Sequence, residues 1–133
     1  MIGVDTNVLV RYIVQDDPEQ SRAATSLIEG TAERGDTIFV SPPVLCELTW
    51  VLARAYRQEK EDILRVLDTL VHLRAFAFER QDLVLRALEA YRGGATGFAD
   101  QLIAQYAWAA DCTALATFDE ALAAADPRGL RPG

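Results

Sequence analysis

The feature that most constrains the fold is the alternation along the chain of short apolar runs with segments of helical spacing. Residues 2–5, 37–41, 75–78 and 114–118 read as strands, and a weaker fifth strand is predicted near Leu130. Strands that alternate with helices form a parallel sheet covered by helices on both faces. The sequence therefore predicts an α/β fold, a three-layer α/β/α sandwich around a central, mostly parallel sheet of four or five strands.

Capping residues and prolines mark where the helices begin. Asp17-Pro18 and Ser41-Pro42 each combine an N-cap residue with a proline suited to the first helical turn. Gly30 is predicted to end the helix that follows Asp17. The spacing of apolar residues predicts helices over about residues 7–14, 17–29, 42–56, 59–73, 81–91 and 98–110, with a short helix from Glu120.

The length of 133 residues suits one domain, predicted over residues 1–133. No apolar run approaches the roughly 18 residues that cross a bilayer, so a membrane protein is not expected. The N-terminus, Met-Ile-Gly-Val-Asp, does not begin a basic and then apolar stretch of the kind that marks a protein for export. We therefore expect the protein to be located in the cytoplasm. The net charge of −7 disfavours broad, salt-driven adhesion to nucleic acid but allows a concentrated acidic site that a cation neutralises.

Four acidic residues fall where a parallel sheet presents its ligands, beyond the carboxyl ends of the strands. Asp5 ends the first predicted strand and Glu47 lies in the helix after the second. Asp100 opens the helix after the glycine-rich loop, and Asp119 follows the fourth strand. Because each comes from a different element, we expect the four carboxylates to converge on one pocket.

The neighbours of two of these acids are apolar. Glu47 has Val44, Trp50 and Val51 at helical neighbour positions, which predicts that it lies on a core-facing stripe. Asp100 likewise shares a predicted face with Ile103, Ala104 and Ala107. A carboxylate in such a setting costs free energy unless it is paired, protonated or bound to a metal.

A hard divalent cation explains such a group better than four separate ion pairs do. Crowded carboxylates repel one another and raise their pKa values, whereas Mg²⁺ or Mn²⁺ lets them stay ionised. Oxygen ligands alone argue against zinc, copper or iron, and the single histidine, His72, lies in a helix remote from these acids. We expect His72 to be a surface or packing residue, and covalent triad hydrolysis is disfavoured.

The order of these motifs resembles the PIN domain family. Its members carry an N-terminal Asp-Thr-Asn-like motif, a glutamate after the second strand, an Asp-x-Leu-Ile-Ala helix start and a Thr-x-Asp after the next strand. The corresponding positions here are Asp5-Thr6-Asn7, Glu47, Asp100-Gln101-Leu102-Ile103-Ala104 and Thr117-Phe118-Asp119. The resemblance covers nearly the whole chain.

The resemblance implies a metal-dependent endoribonuclease that cuts RNA to leave a 5′-phosphate. Its metal-binding and catalytic acids would be Asp5, Glu47, Asp100 and Asp119, with Thr6, Asn7 and Thr117 as supporting polar residues. A PIN domain of this length resembles VapC-type toxins, which are usually homodimers inhibited by an antitoxin protein. The expected cofactor is therefore Mg²⁺ or Mn²⁺, and the expected partners are RNA, an antitoxin and a second copy.

Three other interpretations stay open. Asp5 could be the nucleophile of a phosphatase of the haloacid-dehalogenase type, but the second aspartate expected two residues later is Asn7. A receiver domain would need a lysine late in the chain, and Lys60 is the only lysine. A catalytically inactive PIN-like fold could serve as a binding scaffold.

Overall fold

The computed structural model describes all residues, 1–133, and the chain divides into two compact units, 1–81 and 82–133. The α/β class is confirmed, with seven helices and five strands. No helix is both long enough and apolar enough to cross a membrane. That residues 1–133 form a single domain stays a prediction.

The first unit contains a parallel three-stranded sheet in the order β1-β2-β3. Ile38 in the central strand lies opposite Ile2 and Phe76, and its side chain is fully buried. The elements are β1 (Ile2–Gly3), α1 (Thr6–Val14), α2 (Pro18–Glu33), β2 (Ile38–Val40), α3 (Pro42–Arg54), α4 (Lys60–His72) and β3 (Phe76–Phe78).

The helices of the first unit begin where their caps predict. The side chain of Asp17 accepts a hydrogen bond from the backbone N–H of Gln20, and Ser41 accepts one from Val44, each with proline at the start of the helix. Leucine and isoleucine at helical spacing then bury one face of each helix. The fully buried or nearly buried residues of this unit include Leu9, Ile28, Leu45, Leu48, Leu52 and Leu67.

The second helix runs past the residue predicted to end it. Gly30 lies inside α2, and the helix ends instead before Gly35, whose φ is 75°. The backbone N–H of Gly35 donates to Ala32 and that of Asp36 to Thr31, which is a Schellman motif. Glycine adopts a left-handed backbone conformation more readily than other residues do, so Gly35 and not Gly30 terminates the helix.

The second unit packs three helices with a parallel pair of strands. Leu115 lies opposite Gly129, and Ala116 lies opposite Leu130. The elements are α5 (Gln81–Gly93), α6 (Phe98–Ala109), β4 (Leu115–Ala116), α7 (Glu120–Ala125) and β5 (Gly129–Leu130). The prediction of one sheet needs correcting in this respect: backbone hydrogen bonds divide the five strands into a sheet of three and a pair.

Candidate active site

Asp5 is the N-cap of α1, in the first unit. Its Oδ1 accepts a hydrogen bond from the backbone N–H of Val8 at 3.3 Å, so the carboxylate is held at the start of the helix. Thr6 is buried, whereas Asp5 and Asn7 are exposed. The strand-to-helix turn therefore presents Asp5 and Asn7 to solvent while Thr6 packs inward.

A cavity of about 370 Å³ lies beside Asp5. The guanidinium of Arg11 donates to Gln20 Oε1 at 2.7 Å through Nε and to Asp16 Oδ1 at 2.9 Å through Nη1. The phenol of Tyr56 donates to Asp16 Oδ2 at 2.7 Å, and sequence reasoning did not find this network. The cavity is lined by Asp5, Asn7, Val8, Arg11, Gln20, Ala23, Ala24 and Leu27.

Glu47 is exposed on α3, and the prediction that it lies on a core-facing stripe is wrong. The buried face of α3 consists of Leu45, Leu48, Thr49 and Leu52, which follow helical spacing and leave Glu47 outside that face. Trp50, expected to pack beside Glu47 in the core, is 56% exposed. The carboxylate of Glu47 therefore needs no compensation for burial.

Asp100, on the first turn of α6 in the second unit, matches the expectation better. Its carboxyl group is partly buried, and burial is the main cause that raises its pKa above the ordinary value. The nearby charge of Asp119 raises it further, while a backbone hydrogen bond with Gly97 acts in the opposite direction. Ala104 is buried as predicted, but Ile103 is 54% exposed.

Asp119 is the N-cap of α7. Its Oδ1 accepts a hydrogen bond from the backbone N–H of Leu122 at 2.9 Å. The backbone N–H of Asp119 in turn donates to the hydroxyl oxygen of Thr117 at 3.0 Å. Thr117 therefore fixes the backbone that carries Asp119.

A buried pair of side chains, absent from the sequence interpretation, holds the loop before Asp100. The amide of Gln101 donates to the hydroxyl oxygen of Thr96, and both residues are buried. This contact ties the glycine-rich loop to the start of α6. The polar Thr96 within that loop was the one signal available in the sequence.

The second unit thus brings Asp100 and Asp119 together, while Asp5 and Glu47 belong to separate elements of the first unit. Within each unit, no group of three or more Asp, Glu, His or Cys residues is arranged to hold a metal ion. His72, as predicted, is an exposed surface residue, at the end of α4.

The donor set in the second unit fits a magnesium or manganese ion. Mg²⁺ is commonly bound by one or two carboxylates, with waters and substrate phosphates as the other ligands. A cation held by these residues would offset the charge of Asp119, which together with burial raises the pKa of Asp100. The convergence of all four acids stays a prediction.

Comparison with known proteins places this chain among related sequences. The chain is similar to a protein of Aquifex aeolicus (strain VF5) described as a VapC ribonuclease, with 27% identity over 88 residues. That match covers 66% of this chain and 64% of the relative, so slightly less than two thirds of the relative's length. No solved structure matches significantly. The sequence model of the PIN domain matches residues 2–126, which include all four acids, and the chain belongs to the PIN domain family.

Proposed function

We propose that this protein is a Mg²⁺- or Mn²⁺-dependent endoribonuclease. The observation that carries the proposal is the pair of neighbouring carboxylates, Asp100 and Asp119, in a chain of the PIN domain family. The similarity to a protein described as a VapC ribonuclease supports RNA as the substrate. The proposed metal-binding and catalytic acids are Asp5, Glu47, Asp100 and Asp119.

The proposed reaction is hydrolysis of a phosphodiester bond. A water oxygen bonds to phosphorus and the bond from phosphorus to the 3′ oxygen breaks, which leaves a 5′-phosphate and a 3′-hydroxyl. A divalent cation, when bound, supplies charge neutralisation at the phosphate and lowers the pKa of a water. In this chain, helix capping holds Asp5 and Asp119, and Thr117 holds the Asp119 backbone. Thr6 and Asn7, which follow Asp5 in the chain, are the proposed supporting polar residues beside it.

We further propose that the protein is the toxin of a type II, VapBC-like toxin–antitoxin pair and acts in the cytoplasm as a homodimer. The name of the Aquifex aeolicus relative, a VapC ribonuclease, supports the toxin part of this proposal. The net charge of −7 suits an antitoxin whose inhibitory tail carries arginine, because opposite charges favour that encounter.

The test of the nuclease is cleavage of end-labelled single-stranded RNA with Mg²⁺ or Mn²⁺, with and without a chelator. We expect cleavage by the wild type that the chelator abolishes and that added ion restores. The variants Asp100→Asn and Asp119→Asn should each slow cleavage by at least about 100-fold, because a carboxylate that binds the ion is lost.

Asp111→Asn is the matched control for these variants. Asp111 is an exposed aspartate of the same unit with φ of 63°, a left-handed conformation that asparagine also accepts. The control should cleave RNA like the wild type. Cleavage that survives the chelator, or that all three variants retain, would contradict the proposed function, and no cleavage with either ion would favour the inactive scaffold.

The toxin assignment has its own tests. A short reading frame that encodes a DNA-binding protein should lie next to this gene, and its product should copurify with this chain and stop RNA cleavage. The mass in solution, from light scattering, should be twice 14.7 kDa for the homodimer. A monomeric mass, or no adjacent frame, would remove the corresponding part of the assignment and leave the nuclease intact.

A further inference from the structure

An exposed aromatic ring lies directly beside Asp119. Phe118 is 72% exposed, although phenylalanine normally buries much of its ring. It follows Thr117 and precedes Asp119 in the turn between β4 and α7. The most exposed aromatic side chain of the second unit is therefore next to one of its two paired acids.

The backbone around Phe118 is held by hydrogen bonds on both sides. The N–H of Thr117 donates to the carbonyl of Leu130 at 2.8 Å. The N–H of Asp119 donates to the Thr117 hydroxyl, and the Asp119 carboxylate caps α7 through Leu122. The backbone position of Phe118 relative to Asp119 is consequently set by the fold and not by a loose loop.

The guanidinium group of Arg131 lies next to the backbone of Phe118. Nη1 of Arg131 is 3.5 Å from the backbone carbonyl oxygen of Phe118, to which it donates, and 3.5 Å from Glu120 Oε1. Arg131 is itself more than half exposed. The turn at Phe118 and the residue after β5 thus present an aromatic ring, a carboxylate and a guanidinium close together.

We propose that Phe118 stacks on a nucleobase of the RNA next to the scissile phosphate, with Arg131 contacting a neighbouring phosphate. Rings stack on bases of any sequence, and guanidinium groups pair with phosphates. A protein ligand would need only the apolar ring, whereas a nucleotide uses the ring, the cation and the metal-binding acids together. This inference rests on the proposed function and deepens it.

The exposure of the ring also bears on the substrate class. Bases inside a duplex are stacked on one another, so a ring at the surface reaches only unpaired bases. Stacking on Phe118 therefore requires that the contacted base be unpaired. The first unit shows the same pairing of an acid with an exposed ring, because Trp50 lies three residues after Glu47 on α3 and is 56% exposed.

The test combines a protein variant with a substrate variant. An RNA oligonucleotide with one cleavage site is made as a series in which a single abasic residue is moved past that site. For the wild type, one abasic position should raise KM by about fivefold or more, because one stacked base is lost. Phe118→Ala should raise KM on the intact RNA by a similar factor with kcat nearly unchanged, since uniform binding is lost.

The decisive measurement is whether the effect of Phe118→Ala on KM depends on the presence of the abasic residue in the RNA. At the sensitive position, Phe118→Ala should show no further loss on the abasic RNA, whereas Phe118→Trp should behave like the wild type. Leu85→Ala is the matched control, since Leu85 is a 39% exposed apolar residue of α5, a helix that carries neither Asp100 nor Asp119. Thermal melting of each variant checks that the fold is intact.

The stacking proposal would be overturned if the two effects on KM were independent. In that case Phe118→Ala would raise KM by the same factor on the abasic RNA as on the intact RNA. An unchanged KM in Phe118→Ala would also overturn the proposal. Both of these results leave wild-type cleavage standing, whereas a wild type that cleaves no RNA with either ion refutes the proposed function itself. The two failures are therefore distinguishable.

Discussion

The charge of Asp119, at the N-cap of α7, raises the pKa of Asp100 on the first turn of α6. Burial of Asp100 acts in the same direction and is the larger cause. Two neighbouring carboxylates whose charges repel are a poor choice for stability alone. They are well suited to a site that a cation completes.

Replacement of Asp100 by asparagine should stabilise the metal-free protein at neutral pH. A folded-state pKa above the unfolded value means that the native state binds more protons, so stability falls as pH rises between the two values. Because the carboxyl group is only partly buried and solvent screens its charge, we expect this gain in stability at about pH 7.5 to be small. The gain should shrink as pH falls below about 4 and vanish near about pH 3, where the carboxyl group is protonated in both the folded and the unfolded state.

Chemical unfolding in a chelator at about pH 7.5 and about pH 3.5 measures this difference. Asp111→Asn, which removes the same charge elsewhere in the unit, should show no comparable gain. A destabilised Asp100→Asn at the higher pH would contradict the assigned cause of the shift.

A divalent cation should stabilise the wild type more than the Asp100→Asn variant. A ligand that binds only the folded state adds about 2.7 kcal/mol when present at about 100 times its dissociation constant. Melting curves with Mg²⁺, Mn²⁺ or chelator test this, and we expect the gain to be lost in Asp100→Asn and Asp119→Asn. An equal gain in both variants would locate ion binding elsewhere.

The capping and catalytic roles of Asp5 should separate by substitution. An asparagine at this position would still accept the hydrogen bond from Val8, so Asp5→Asn should lose cleavage while keeping stability. Asp5→Ala should in addition lose about 0.5–2 kcal/mol of stability, because the cap is removed. Asp17→Asn is the control, because Asp17 caps α2 in the same way. Loss of activity in Asp17→Asn equal to that in Asp5→Asn would show a structural effect only.

The Tyr56 phenol should contribute to stability in a pH-dependent manner. Its hydrogen bond is the main cause that lowers the pKa of Asp16, with the Arg11 hydrogen bond also contributing. A depressed folded-state pKa stabilises the protein above the unfolded value, and this is lost as pH falls through the folded value. Tyr56→Phe should therefore lower the melting temperature slightly at about pH 7 and progressively less below about pH 4. A difference that does not depend on pH would refute this coupling.

The helices could be predicted from the sequence because their signals are local. Proline after Asp17 and after Ser41 marks helix starts within a residue, and helical spacing sets the rest. The end of α2 was missed, because Gly30 and Gly35 are equivalent as sequence signals. Only the backbone distinguishes them, through the positive φ of Gly35.

The faces of the helices were harder to predict than their bounds. Leu48 and Trp50 are both apolar, and spacing alone does not say which one the fold covers. For that reason the sequence predicts that Glu47 and Ile103 lie on buried faces, whereas both residues are exposed. Which face of a helix is buried depends on how the helix packs against other elements, and the sequence of that helix alone does not reveal this packing.

The sequence predicts parallel strands, but it does not predict that they divide into a sheet of three and a pair. β1, β4 and β5 have only two residues each, so their apolar runs say that strands exist but not which strands pair. Pairing depends on contacts distant in sequence. The motifs that carry Asp5, Asp100 and Asp119 were placed correctly because each lies at a strand-to-helix or loop-to-helix junction that local signals mark.

The most direct test of the central claim follows Mn²⁺ binding and RNA cleavage in the same samples. Titration of Mn²⁺ by electron paramagnetic resonance gives the bound ion, and end-labelled RNA gives the cleavage rate. We predict that cleavage rises with ion occupancy in the wild type and in Asp111→Asn, and that both are lost together in Asp100→Asn. Full Mn²⁺ binding in Asp100→Asn, or cleavage without bound ion, would contradict the claim.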